Sequence, residues 1–137
     1  MTDKHTIPTD PQALAEAVAT AMWARDRAGQ ALGMRIEAVG PGTATLAMPV
    51  RGDMVNGHHI CHGGLIFTLA DTAFAYACNA YNRNTVASGC SIDFVAPGKE
   101  GDTLTAEAVE RSRSGRTGVY DITVRDGAGK TVALFRG

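Results

Sequence analysis

The chain has 137 residues and a formal net charge of −1, with 45% apolar and 20% charged residues. This is enough for one domain with a real core, in proportions ordinary for a globular protein. The near-neutral balance, with no basic stripe or polybasic amphipathic stretch, argues against a nucleic-acid or membrane-surface partner.

The opening segment MTDKHTIPTDPQ has no apolar run, so no secretory leader is expected. Residues 1–10 read as a flexible tail. A helix is expected over 11–29, with Asp10 as N-cap and Pro11 at the first helical position. Leu14, Val18, Ala21, Met22 and Arg25 recur at helical spacing, and Gly29 and Gly33 mark its end. From Met34 the period changes to two. Met34, Ile36 and Ala38 alternate, Pro41-Gly42 turns the chain, and Thr43 to Met48 alternates again, which predicts a hairpin. Residues 50–61 read as an irregular loop.

A central helix is expected over 62–81. Leu65 to Ala80 is nearly unbroken apolar sequence, interrupted by Thr68, Asp71, Thr72 and Asn79. Those polar residues argue against a membrane span. Beyond it lie strand-like runs at Val86–Val95, Asp102–Arg113, Arg116–Arg125 and Lys130–Phe135, separated by short turns. These predict an antiparallel meander of three or four strands. The sum is an α+β domain in which the long helix must be covered all round, and one antiparallel sheet curling about it could do most of this. No repeat or linker marks a second domain. Three cysteines, Cys61, Cys78 and Cys90, follow no framework spacing, which fits a reducing cytoplasm.

The chemistry concentrates in the central segment. Asp71 has Phe67, Thr68, Phe74 and Ala75 as its i±3 and i±4 neighbours, so no Lys or Arg on the helix compensates its burial. A carboxylate so placed has a raised pKa and suits a general base or a nucleophile. At the helix start, His62-Gly63-Gly64 presents backbone N–H groups that lack internal partners, and glycine lets a ligand approach them closely. That suits an oxyanion on a carbonyl, although a flexible loop entry would look the same. Gly63 and Asp71 are eight residues apart, about 12 Å along a helix. Both groups must lie within about 3 Å of one reacting centre. Two antiparallel helices across a two-fold axis meet that condition, so a dimer with two shared sites is expected.

The cluster His58, His59, Cys61 and His62 invites a zinc reading, but sequence neighbours rarely converge on one ion and no second cluster exists, so no metal is expected. Neither a G-x-S-x-G elbow nor a phosphate-binding glycine loop is present. Asn56 before Gly57 is a turn residue, or an amide holding a water or the acid. Arg111, Arg113 and Arg116 surround the turn Ser114-Gly115 and, with Arg83 and Lys99, form a solvated tip or a phosphate site.

Three stretches carry a resemblance: NGHHICHGGLIFTLADTAFAYACN, SIDFVAPGKEGDTLTAEA and TGVYDITV…KTVALFRG. Over roughly residues 28–137 the chain resembles the hotdog-fold acyl-CoA thioesterases of phenylacetate degradation (the PaaI type), and the run HGG-x-x-F-x-L-A-D-T-A-F-A is specific to that branch. The resemblance implies an antiparallel sheet wrapped around the helix, a homodimer as minimal unit, and a homotetramer. It implies hydrolysis of an aryl-acyl-CoA substrate, such as phenylacetyl-CoA, to free acid and CoA with no metal or bound cofactor. Asp71 matches the catalytic carboxylate, Gly63 the oxyanion donor, and His62 and Asn56 supporting polar residues. Thr72 matches a polar neighbour of the acid. Gly64, Thr72, Ser88, Gly89, Arg113 and Arg116 form the expected substrate-binding set. The alternatives are a non-catalytic acyl-CoA-binding protein and a hydratase or dehydratase, whose acid would lie in a loop before the helix.

Overall fold

The computed structural model of the chain describes residues 6–137, so residues 1–5 of the expected tail lie outside the described residues. Helix α1 spans Pro11–Trp23, and Asp10 caps it by accepting from the Ala13 N–H at 2.8 Å. The helix expected over 11–29 is in fact two. Asp26 leaves the helical conformation and starts a short α2, Arg27–Ala31, by accepting from the Gly29 N–H at 2.9 Å. An aspartate offers the backbone this local alternative to a continuous helix. Gly33, at φ +70°, then turns the chain into the sheet.

Six strands form one antiparallel sheet in the order β1-β2-β4-β5-β6-β3. They are β1 (Arg35–Gly40), β2 (Thr43–Pro49), β3 (Ser91–Phe94), β4 (Thr103–Ser114), β5 (Thr117–Arg125) and β6 (Thr131–Arg136). Strands β4, β5 and β6 are the expected meander. Strand β3 does not join it in sequence order. It pairs with β6 at the far edge, Ser91 opposite Arg136 and Phe94 opposite Ala133. The run expected as strand over Val86–Val95 is largely loop, because residues 82–90 have no ladder partner and are exposed. Asn79 holds that loop. Its side chain accepts from the Thr85 N–H at 2.9 Å and donates to the Thr85 carbonyl at 3.1 Å.

The central helix α3 runs Gly63–Cys78, three residues short of its expected end because Asn79 caps it. Ile66, Leu69, Ala70, Ala73 and Ala77 are buried on it, against Leu46 and Met48 of β2, Leu104 and Ala106 of β4, and Ile122 and Val124 of β5. Each large apolar side chain removed from water here contributes about 1.5–3 kcal/mol. The alanines let the helix lie close to the sheet. Cover on all sides, however, is not what the chain provides for itself. Gly64, Thr68, Asp71, Thr72 and Ala75 are less than fully buried and share one stripe of α3. Among the described residues no helix is long and apolar enough to cross a membrane.

Candidate active site

The loop before α3 is closed by its own backbone. Val55 bridges Cys61, the Asn56 N–H donates to the Ile60 carbonyl at 2.9 Å, and the His62 N–H donates to the Met54 carbonyl at 2.9 Å. Asn56 Oδ1 accepts from the His58 N–H at 2.9 Å, which makes this side chain a turn former inside the loop. Its Nδ2 has no partner among the described residues. His59, at φ +59°, places Nδ1 3.1 Å from Glu100 Oε2. Cys61 is buried, and its thiol lies 3.6 Å from the His62 carbonyl. His58, His59, Cys61 and His62 therefore do not converge, and among the described residues no three metal-ligating side chains do.

His62 is the N-cap of α3 but makes no side-chain capping bond, and its ring is exposed. The N–H groups of Gly63 and Gly64 consequently donate to nothing among the described residues. They lie at the positive end of a sixteen-residue helix. The two glycines differ in surroundings. A Cβ on Gly63 would meet the Phe94 ring of β3 at 2.9 Å, whereas one on Gly64 would meet nothing within 4 Å. An anionic oxygen can therefore reach these donors from the Gly64 side, with Phe94 as a wall.

Asp71 is half-buried and its carboxylate has no hydrogen bond or ion pair among the described residues. Burial pushes its carboxyl above the ordinary value. The hydroxyls beside it are already engaged, since Thr72 donates to the Thr68 carbonyl at 2.6 Å and Thr68 to the Gly64 carbonyl at 2.8 Å. Both back-bonds leave the oxygen lone pairs facing the stripe. Asp71 also reaches two cysteines electrostatically. Burial first, and the Asp71 charge in addition, push up the thiols of Cys78 (to about 11) and Cys90. Cys90 ends the 82–90 loop, so that loop passes within the field of the acid.

A groove of about 470 Å³ opens between this loop, the β4–β5 hairpin tip and Gly137. Ser88, Arg113 and Arg116 line it, and Phe74 and Cys78 lie among its walls. Phe74 is three residues beyond Asp71 on α3, so the groove begins one helical turn from the acid. Gly89 is exposed in the same loop. The chain thus brings Ser88, Arg113 and Arg116 together and holds Gly63 and Gly64 at the other end of α3, with Asp71 and Thr72 between. The five cations of the expected phosphate cluster divide. Arg111 is held by Asp121 at 2.9 Å, Lys99 bridges Ile60 beside the 56–60 loop, and only Arg83, Arg113 and Arg116 share the groove. Sequence reading missed Tyr81 and Glu110, whose side chains bond beside Arg113. Residues 29 apart, one just past the end of α3 and the other on β4, leave no local signal.

Residues 58–133 match the thioesterase superfamily. The chain is 53% identical over 119 residues to acyl-coenzyme A thioesterase PaaI of Escherichia coli (strain K12), covering 87% of this chain and 85% of that protein. The solved structure of the E. coli PaaI protein from the phenylacetic acid degradation operon superposes with a TM-score of 0.92 at 50% identity, covering 93% of each chain. A variant of the phenylacetic acid degradation protein PaaI from Thermus thermophilus superposes with a TM-score of 0.78 at 40% identity, covering 82% of this chain and 96% of that one.

Proposed function

This chain belongs to the thioesterase superfamily, with the hotdog fold, and we propose that it is an acyl-CoA thioesterase of the PaaI type. Its substrate class is aryl-acyl-CoA, phenylacetyl-CoA or a ring-hydroxylated relative, and its products are the free acid and CoA. The observation that carries the reading is the pairing on α3 of two unpartnered groups: N–H donors at Gly63 and Gly64, and the half-buried, unbonded carboxylate of Asp71. Thioester hydrolysis needs both, one to hold the oxyanion and one to activate water.

The two groups lie about 12 Å apart along one helix, too far to serve one carbonyl. In a homodimer with antiparallel α3 helices, the Gly63 N–H of one subunit and Asp71 of the other share a substrate. The open stripe of α3 supports this arrangement, because it carries Asp71 and lacks cover from its own sheet. Such dimers pair further into a homotetramer. Within the site, Asp71 takes a proton from water, whose oxygen adds to the thioester carbonyl carbon. The Gly63 N–H holds the resulting oxyanion, the C–S bond breaks, and the CoA thiolate leaves and is protonated. The upward shift of the Asp71 carboxyl strengthens it as a base. His62 polarises the carbonyl from the helix start, and Asn56 holds the loop that sets His62. The three cysteines are all free, which fits action in a reducing cytoplasm.

The test is incubation with phenylacetyl-CoA while a thiol reagent follows CoA release and chromatography follows phenylacetate. Stoichiometric appearance of both is expected. Retention of intact thioester would refute the activity.

A further inference from the structure

The groove arginines are held by a device that the reaction itself does not require. Strand β4 carries an extra residue: Glu110 pairs with Tyr120, but Ser112 pairs with Val119 and Arg113 with Gly118, which leaves Arg111 as a bulge. On a regular strand residues 110 and 113 would face opposite sides. The bulge puts them on the same side. Both meet Tyr81, just beyond the end of α3. The Tyr81 hydroxyl donates to Glu110 at 3.0 and 3.2 Å, and the Arg113 guanidinium lies 3.6 Å from the centre of the Tyr81 ring. Tyr120 donates a second hydroxyl to Glu110 at 3.0 Å. Gly42 makes the room, since a Cβ there would sit 2.9 Å from both the Tyr81 hydroxyl and the Glu110 Cβ.

Two hydroxyls thus occupy the Glu110 carboxylate, and Arg113 forms no ion pair with it. Elsewhere Arg35, Arg51, Arg111, Arg125 and Arg136 each face a carboxylate within 3.9 Å. Among the described residues Arg25, Arg27, Arg83, Arg113 and Arg116 have no ion pair, and of these Arg83, Arg113 and Arg116 line one groove. Three arginines without an ion pair at one place repel one another, Glu110 beside them offsets part of that charge, and a bound anion would relieve the rest. Guanidinium forks match phosphate oxygens in geometry, and among the described residues no carboxylate forms an ion pair with Arg113.

We propose that Tyr81 and Glu110 are positioning residues: they hold Arg113 of the expected substrate-binding set so that it meets, beside Arg83 and Arg116, the phosphates of the CoA portion of the substrate. The proposal rests on the thioesterase reading and adds what aims Arg113. The apolar stretch at Phe74 and Cys78 then runs between the phosphates and Asp71.

The test compares kcat/KM for phenylacetyl-CoA with that for S-phenylacetyl-N-acetylcysteamine, which has the same thioester and no phosphate. Arg113→Gln should lower the ratio of the two by about tenfold, through KM rather than kcat, the worth of one charge-assisted contact. Tyr81→Phe keeps the ring but releases Glu110 towards Arg113, so it should lower the ratio as well. Adding Glu110→Gln to Tyr81→Phe should restore the ratio, because a neutral amide does not capture Arg113. A ratio unmoved by Arg113→Gln would overturn the phosphate site, and failure of the double variant to recover would overturn the positioning role. Calorimetric titration with free CoA separates the two readings. Weaker CoA binding in Arg113→Gln supports the phosphate arm even if no thioester is hydrolysed, and unchanged CoA binding sinks it even if hydrolysis is fast.

Discussion

Replacing Asp71 by Asn keeps the volume of the side chain and removes its charge and its basic oxygen. If Asp71 is the general base, kcat should fall by about 10²–10⁴, the usual worth of positioned proton transfer. At 1.36 kcal/mol per decade this is about 2.7–5.4 kcal/mol of barrier. The structure adds two further expectations. Burial raises the Asp71 carboxyl above its ordinary 3.8, and the ionised form is the active one. The acid limb of kcat/KM should therefore lie above the ordinary aspartate value, with activity rising as pH rises through it, and the Asn variant should lack that limb. The second concerns stability. A carboxyl whose folded pKa is raised binds its proton more tightly in the folded state. Its stabilising contribution is full below the unfolded pKa and is lost as pH rises through the folded value. At neutral pH the ionised, unpartnered Asp71 is thus a cost, which Asn does not carry. The melting temperature of Asp71→Asn should not fall. Initial rates of thiol release from acid to neutral pH, with thermal melts of the same samples, make the test. Near-wild-type turnover would remove Asp71 from catalysis. Lost turnover together with a lower melting temperature would make it a structural residue instead.

Gly63→Pro deletes the proposed oxyanion donor at the first position of α3, where proline suits the backbone and His62 already has the extended ψ of 136° that a following proline requires; because its Cβ would lie 2.9 Å from the Phe94 ring, the variant is made in a Phe94→Ala background, with Phe94→Ala alone as its control. Circular dichroism should show the helix retained, while kcat falls by about 10²–10³ below that control. Mixing Asp71→Ala chains with Gly63→Pro chains, both in that background, should restore about a quarter of the control activity, because half the dimers are mixed and each holds one intact site of two; no recovery after subunit exchange would refute the shared site. Asp121 is pulled down to about 2 chiefly by the Arg136 hydrogen bond, with Arg111 adding to it. A lowered pKa gives stability that is present above the unfolded value and lost as pH falls through the folded one, so Asp121→Asn should melt roughly 3 °C lower at neutral pH and match the wild type near pH 2. Tyr76 donates to Asp26 at 3.1 Å and ties α3 to the break between α1 and α2, so Tyr76→Phe should cost about 1 kcal/mol in a denaturant titration.

Features that depend on a few neighbouring residues are legible in the sequence, and features that depend on distant partners are not. The Asp10-Pro11 start of α1 and the alternation of Tyr120, Ile122 and Val124 rest on periods and caps within a few residues, and the structure has all of them. The break at Asp26 is equally local, but the apolar spacing around it, from Leu14 to Arg25, outweighs a single capping residue. The place of β3 is beyond local reach. Nothing in Ser91–Phe94 distinguishes β6 from β4 as its partner, and its position at the edge follows from where β4 to β6 have already been laid. The bulge at Arg111 is likewise a property of a pair of strands, so no pattern in β4 alone reveals that Glu110 and Arg113 share a side.

The face of α3 lies between these cases. Its apolar content suggests a helix covered by its own sheet, but the exceptions carry the information. Gly64, Thr68, Asp71, Thr72 and Ala75 recur at intervals of four, three, one and three residues, the spacing of one helical stripe. Glycine, threonine, aspartate and alanine are small or polar, poor at filling a gap beneath a sheet and well suited to a close approach by a second helix or a substrate. A stripe of that kind in an otherwise apolar helix marks the side that its own sheet leaves open. The acid lies within it and the helix start leads into it. The spacing that separates Gly63 from Asp71 and the stripe that exposes Asp71 are therefore two separate reasons for the homodimer proposed above.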